Sequence, residues 1–375
     1  MGRRAWVGDS EDVRLTTLDI ALAPGRTSAA ATTATYFPLF DYLRFVLAAL
    51  VVLGHSHVMP DTAAMISVRV FFALSGWLIG GILLRTQWRD VPRFFFNRAT
   101  RIWIPYAAAI ILLYGLSALL EHFTLRRAEI MFYDVTFTRY LFGSLPDFAA
   151  AAPSMAFHGG GIHFWSIGVE EQFYLIAPLI ILLTWFGRSP IFWGVVSVAL
   201  LIMRNDFAAI TFGLAAATLQ FRYGDWHLKG WAVALLLFGA ITSAMMLNNE
   251  SSWPIFSICV VLLLARPSEK SAIGAVLGGI SYPLYLNHPL GGFPSHSLVK
   301  HLLFLLPAHD MLTALFGLVI GIIMYCLVDR PVIAMRNSYY TEARGRELRA
   351  AAYAIVGVGI AFGVTRWYVI PLLFT

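Results

Sequence analysis

Asp41, Arg44 and His55 stand inside the apolar stretch FPLFDYLRFVLAALVVLGHSH, residues 37–57, which closes on a second histidine, His57. A charge at a bilayer centre costs roughly 2.5 to 3.5 kcal/mol on insertion scales, so such residues face a bundle interior and mark a functional path. Arg44 and His55 are eleven residues apart. At about 100° per residue this is three turns plus about 20°, so both share one helix face, separated by a rise of about 16 Å. Asp41, three residues before Arg44, joins that stripe. His57 points elsewhere. A neutral imidazole takes a proton near pH 7, which suits His55 to acid–base chemistry. The bland alternative is an Arg44 that snorkels to headgroups and a His55 satisfied in the core.

Four further stretches carry polar residues at membrane edges. In RDVPRFFFNRATRIWIPY, residues 89–106, Arg98 and Arg101 lie one helical turn apart and can clamp one anion together. Ordinary loop charge explains Arg85 and Arg89 well, but explains less well two arginines so close to Trp103, Pro105 and Tyr106. HFWSIGVEEQFYLIAPL, residues 163–179, packs Trp165, Ser166, Glu170, Glu171, Gln172 and Tyr174 at a membrane boundary. An aromatic belt accounts for the rings alone. Of the two carboxylates, one is expected to face solvent and the other to orient a histidine. GGISYPLYLNHPLGG, residues 278–292, adds Tyr282, Tyr285, Asn287 and His288, with a kink expected at Pro283. RVFFALSGWLIGGILL, residues 69–84, supplies Ser75, Gly76, Gly80 and Gly81, whose expected role is close helix packing.

The elements that position these residues follow from composition. The 375 residues are 59% hydrophobic and 13% charged, against about 45–50% apolar and 25% charged in soluble domains. Repeated apolar runs without strand-like alternation predict an all-α, polytopic transmembrane bundle. Spans are expected at 37–59, 67–84, 102–119, 171–187, 190–203, 206–220, 229–247, 253–265, 272–290, 310–328 and 350–366, ten or eleven in all. With the N-terminus inside, segments on that side hold 19 of the 27 Lys and Arg residues, and the opposite side holds 7. The positive-inside rule therefore places the N-terminus in the cytoplasm. Residues 1–36, which contain Asp9, Glu11, Asp12 and Asp19, read as a cytoplasmic tail without a signal-peptide core. Residues 37–330 read as one membrane domain, and 331–375 as a basic cytoplasmic segment with an extra C-terminal helix. The net charge of +6 is spent between spans, which argues against nucleic acid. Cys259 and Cys326 read as packing residues. The ten histidines are scattered without metal-ligand spacing, so no metal is expected.

Taken together, these stretches resemble the acyltransferase-3 family of integral-membrane acyltransferases over residues 37 to about 330. Its Asp-x-x-Arg start with a later His matches Asp41, Arg44 and His55. Its Phe-Phe-x-x-Ser-Gly matches Phe71, Phe72, Ser75 and Gly76, and its Arg-x-x-Arg matches Arg98 and Arg101. Its Trp-Ser-x-x-x-Glu-x-Gln-Phe-Tyr matches Trp165, Ser166, Glu170, Gln172, Phe173 and Tyr174. Its Ser-Tyr-x-x-Tyr-Leu-x-His matches Ser281, Tyr282, Tyr285, Leu286 and His288. All five occur in order and at matching spacing. Trp77 departs from the frequent Phe, and an eleventh span exceeds the usual ten. A fused extracytoplasmic esterase-like domain, present in some members, is not expected here.

The resemblance implies an O-acyltransferase of a multi-pass bacterial inner-membrane type, like those acting on exopolysaccharides or lipooligosaccharides. An acyl group, acetyl first among them, would pass from cytoplasmic acyl-CoA to a hydroxyl of a saccharide or glycolipid. Arg44, Arg98 and Arg101 would hold the CoA phosphates. His55 would act as general base or transient acyl carrier, and Glu170 would orient it. Asp41, Trp165, Ser166, Tyr174, Tyr282 and His288 would line the site. No bound cofactor is expected. The competing reading is a transporter or flippase of lipid-linked sugars, in which the polar stripe lines a path and does no chemistry.

Overall fold

A computed structural model describes residues 36–142, 155–157 and 159–373. The expected cytoplasmic tail, 1–36, therefore lies almost wholly outside the described residues. Within them the chain is helical, and the one extended feature is an isolated bridge between Ala156 and Gly160. Six helices are long and apolar enough to cross a membrane: Pro38–His55, Asp61–Arg85, Trp88–Leu120, Phe164–Leu183, Leu303–Tyr339 and Glu342–Leu372. The protein is an integral, multi-pass membrane bundle.

Helix α1, Pro38–His55, opens with Pro38 in its first turn and Asp41 near its positive dipole end. It ends where His57 takes a left-handed backbone (φ 57°). Helix α2, Asp61–Arg85, starts six residues earlier than the expected run. Arg69 lies inside α2, only 8% exposed, paired with Asp206 and surrounded by Phe72, Trp165 and Trp253. Helix α3, Val91–Leu120, is 30 residues long with Pro105 inside it. A short helix α4, Leu125–Val135, follows, and then α5, Phe164–Leu183. α5 begins seven residues before the expected run, so the Trp165–Tyr174 motif forms its first turns instead of leading into it.

The runs expected at 190–290 form α6 (Pro190–Ile202), α7 (Phe207–Tyr223), α8 (Gly230–Met245), α9 (Trp253–Leu264) and α10 (Ala272–Asn287), each 12 to 17 residues long. After α11 (Gly292–His301), α12 (His309–Met324) runs through a π-helical turn at Tyr325–Asp329 into α13 (Arg330–Tyr339). The last expected run is the second half of α14, Glu342–Val364.

The site helices α1, α2, α3, α5 and α10 are held by close approaches. α2 packs along α7. A Cβ on Gly76 would sit 1.9 Å from the Ile210 carbonyl oxygen, and one on Gly213 2.1 Å from that of Ala73. Gly80 meets Leu214 and Ala217, whereas Gly81 meets only the tip of Arg85. α10 packs along α1, where Gly278 leaves room for the Asp41 side chain. Cys259 is buried near Gly239; Cys326, against expectation, is exposed on the π turn.

Candidate active site

The apolar spacing of α1 buries one face and carries Arg44 near its start and His55 at its end. Around Arg44 lies a cavity of about 160 Å³. Arg98 and Arg101 reach it from α3, one turn apart, and Arg336 reaches it from α13. Its walls also include Ser75 of α2, Ser166, Glu170 and Tyr174 of α5, and Tyr282 and Tyr285 of α10. Asn97, 6% exposed, lines it too; both polar atoms of its side chain lack a protein partner, as does Arg98 Nε. Buried polar groups carry a desolvation cost until something bonds them.

Interior prolines shape this region. Pro105, Pro178 and Pro283 each lie inside a site helix. A proline cannot donate to the carbonyl four residues earlier, which loosens the ladder there. In α3 that carbonyl belongs to Arg101, and the Tyr282 hydroxyl donates to the next one, Ile102, at 3.2 Å.

The two carboxylates of the α5 motif do not behave as expected. Glu170 accepts from Ser75 Oγ at 2.7 Å and from the Tyr174 hydroxyl at 2.8 Å. The Arg98 guanidinium lies 3.8 Å over the Tyr174 ring. Glu171 is the more buried of the pair, 4% exposed, and accepts from Trp103 Nε1 at 2.9 Å. Glu170 is partly exposed on the cavity wall, Glu171 is buried, and neither accepts from a histidine. The expected pairing of Glu170 with His55 is therefore corrected: both Glu170 oxygens are taken up at the arginine cavity. Ser75, read as a packing residue, is one of its anchors.

His55 is partnered instead by His288. Their rings stack with centroids 5.1 Å apart, and His55 Nδ1 lies 2.9 Å from His288 Nε2. His288 Nδ1 lies 2.8 Å from the Tyr285 carbonyl oxygen. A carbonyl oxygen only accepts, so His288 Nδ1 must carry its proton. In the neutral ring its Nε2 then accepts, and His55 must donate from Nδ1. This leaves the lone pair of His55 on Nε2. A third ring, His163, packs 4.8 Å from His288 and 6.3 Å from His55. Its Nε2 lies 3.1 Å from the Leu286 carbonyl oxygen. Three of the histidines read as scattered thus converge, although among the described residues no group of three or more His, Cys, Asp or Glu is placed to hold a metal ion.

Ser166 and Tyr285 join the cavity to this cluster. Their hydroxyls lie 2.6 Å apart, each 3.0 Å from the His163 carbonyl oxygen. Of the other expected lining residues, Asp41 is 1% exposed and lies behind Arg44, accepting from it at 3.4 Å and from the Tyr36 hydroxyl. Trp165 is corrected: it packs away from the cavity, against Phe72, Tyr140 and Arg69. Three further residues of the site, His163, Asn97 and Arg336, are not marked out by the sequence. His163 opens the quoted α5 stretch but has no periodic partner. Asn97 stands beside the arginines that drew attention. Arg336 is one of several basic residues that loop charge already explained.

Comparison with known proteins identifies the family. The acyltransferase-3 family model, described as an acyltransferase domain, matches residues 37–328. Peptidoglycan O-acetyltransferase OatA of Listeria monocytogenes is 30% identical over 173 residues, 43% of this chain and 27% of its own. A provisionally named O-acetyltransferase of Staphylococcus aureus (strain COL) is 24% identical over 313 residues, 68% of this chain and 50% of its own. BcsY of Komagataeibacter xylinus, provisionally named a membrane-bound transacylase, is 24% identical over 352 residues, 85% of this chain and 88% of its own. The chain thus spans half the length of the Staphylococcus relative. No solved structure matches it. The chain belongs to the acyltransferase-3 family of membrane acyltransferase domains.

Proposed function

We propose that the protein is a membrane O-acyltransferase that takes an acyl group from acyl-CoA and delivers it to a hydroxyl of a saccharide or glycolipid. The observation that carries this reading is one cavity with Arg44, Arg98 and Arg101 on its wall and the Ser166–Tyr285 pair leading to the His55–His288 cluster. Arg44 and His55 are separated by a helix rise of about 16 Å. A donor anchored by its anionic groups at Arg44 must therefore carry its reactive carbon on a long flexible arm, as an acyl-CoA does. The names of the O-acetyltransferase relatives support an acetyl group and a cell-envelope saccharide.

In this reading His55 Nε2 takes the proton of the acceptor hydroxyl as its oxygen attacks the thioester carbonyl. The C–O bond forms, the C–S bond breaks, and the CoA thiolate leaves with that proton. Alternatively the same nitrogen attacks the thioester carbonyl, the C–S bond breaks and the CoA thiolate leaves; the acceptor hydroxyl then attacks the acyl group on Nε2, the N–C bond breaks, and the hydroxyl proton passes to the thiolate. In both routes His55 Nδ1–H stays on His288 Nε2, which holds the ring and spreads the positive charge of the imidazolium. The donor arrives from the cytoplasmic face, the side the positive charges favour, and the acceptor reaches His55 from the opposite face.

Proteoliposomes test this. Labelled acetyl-CoA supplied on the N-terminal side only is expected to label a saccharide acceptor present on the other side only. Transfer that requires both substrates on one side contradicts the two-sided site. A wild-type protein that moves lipid-linked sugar without consuming acetyl-CoA favours the transporter reading.

A further inference from the structure

We propose that Arg336 is a fourth cationic ligand for the phosphate groups of the donor, supplied by a helix beyond the family-matched region. This inference rests on the acyl-CoA reading of the cavity. The match ends at residue 328, and α13 begins at Arg330. Yet Arg336 lines the same cavity as Arg44, Arg98 and Arg101.

The placement is built, not incidental. A π-helical turn at Tyr325–Asp329 redirects the chain between α12 and α13, because an extra residue in one turn rotates all that follows. α13 is then pinned to α3 just past Arg336. Arg93 Nη2 donates to Asn337 Oδ1 at 3.1 Å, and the Arg93 guanidinium lies 4.2 Å over the Tyr340 ring. Further on, Gly345 approaches Pro92 so closely that a Cβ would sit 2.6 Å from its carbonyl oxygen.

The charge around the cavity then decides what it takes. Four guanidinium groups line it, and Glu170 is the sole carboxylate among its described lining residues. Glu170 is already bonded to Ser75 and Tyr174. Asp41 offsets Arg44 from behind. Asp329, 3% exposed, acts electrostatically on Arg101. Partly buried cations in excess of carboxylates are costly unless an anion joins them. A ligand with several phosphate groups supplies that charge, and planar guanidinium forks grip phosphate oxygens in pairs.

The test uses the full-length protein in nanodiscs, with CoA and inorganic pyrophosphate as probes. Arg336→Gln is compared with Arg346→Gln, which removes an equal charge from an exposed site on α14 paired with Glu342. A charge-assisted bond is worth about 1.5–3 kcal/mol, or a loss of roughly 10- to 150-fold. Arg336→Gln is expected to weaken CoA by that factor and to raise the KM for acetyl-CoA with kcat retained at saturation. Arg346→Gln is expected to change neither. Wild-type affinity in Arg336→Gln, or an equal loss in Arg346→Gln, overturns the proposal. If Arg336→Gln does not fold, Arg336→Lys decides: a several-fold loss at unchanged melting temperature supports the role, and unchanged affinity overturns it. A wild type that binds pyrophosphate but not CoA removes the acyl-CoA reading, and the role of Arg336 is then decided by pyrophosphate under the same criteria.

Discussion

His55 and His288 share a 2.9 Å bond between Nδ1 and Nε2, and the Tyr285 carbonyl fixes its direction. The backbone of α10 thereby sets which nitrogen of an α1 histidine is free. His288→Ala removes the acceptor for His55 Nδ1–H and leaves the tautomer unset. Losing an orienting partner of a catalytic imidazole costs about 10²- to 10⁴-fold. Acyl transfer by His288→Ala is expected to fall by that range while CoA affinity is kept. Rates near wild type in a folded variant would show that His288 does not orient His55.

Glu170 acts at the cavity, not on the histidine. Glu170→Gln and Tyr174→Phe disrupt one hydrogen-bonded unit with Ser75. Their effects on CoA affinity are expected to be non-additive by more than about 0.5 kcal/mol in a double-mutant cycle. Glu170→Gln and His55→Ala share no bond and are expected to be additive in stability. A strong coupling between Glu170 and His55 would restore the partnership that the sequence suggested.

The glycines of α2 differ sharply in what surrounds them. Gly76 faces the Ile210 backbone at a distance no Cβ tolerates, while Gly81 has open space apart from Arg85. Gly76→Ala is expected to force α2 and α7 apart and destabilise by about 1–3 kcal/mol or more. Gly81→Ala is expected to be neutral or to stabilise by up to about 1 kcal/mol through helix propensity. Thermal melting of both variants in one detergent checks this; equal shifts would contradict the α2–α7 contact.

A buried ion pair braces the segment leading into α5. Arg139 Nη1 donates to Asp134 at 2.9 and 3.0 Å and to the Gly161 carbonyl at 2.7 Å, two residues before His163. Tyr114 donates to the same carboxylate at 2.5 Å. Removing one partner of a buried pair costs about 3–5 kcal/mol. Arg139→Gln is expected to lower the melting temperature markedly and to lose acyl transfer with it. An unshifted melting temperature would show that the pair does not hold this segment.

The sequence made the class of fold legible because apolar runs without alternation leave only a helical bundle in lipid. It also made Arg44, Arg98 and Arg101 legible, since guanidiniums inside or beside apolar helices need a reason to be there. Span limits were less legible: the Trp165–Tyr174 motif lies within a helix that starts earlier than hydropathy indicates, because polar residues that face the bundle interior lower the local average. Partnerships were the least legible. Whether Glu170 meets His55 or Ser75 depends on how α1, α2 and α5 rotate against one another, and that rotation is set by contacts such as Gly76 on Ile210. His163 and His288 are 125 positions apart and meet only where the start of α5 bonds the end of α10. Arg336 was hidden by a correct explanation, loop charge, that did not exclude a second role.

The central claim is that anionic groups bind at the arginines and chemistry occurs at His55. The most direct measurement is a single turnover with radiolabelled acetyl-CoA, comparing wild type, His55→Ala and Arg98→Ala. The account predicts that wild type binds the donor and transfers its label. His55→Ala should bind it as tightly but transfer none, and Arg98→Ala should lose binding by roughly tenfold or more. Full transfer by folded His55→Ala, or a folded wild type that neither binds nor deacylates acetyl-CoA, would contradict it.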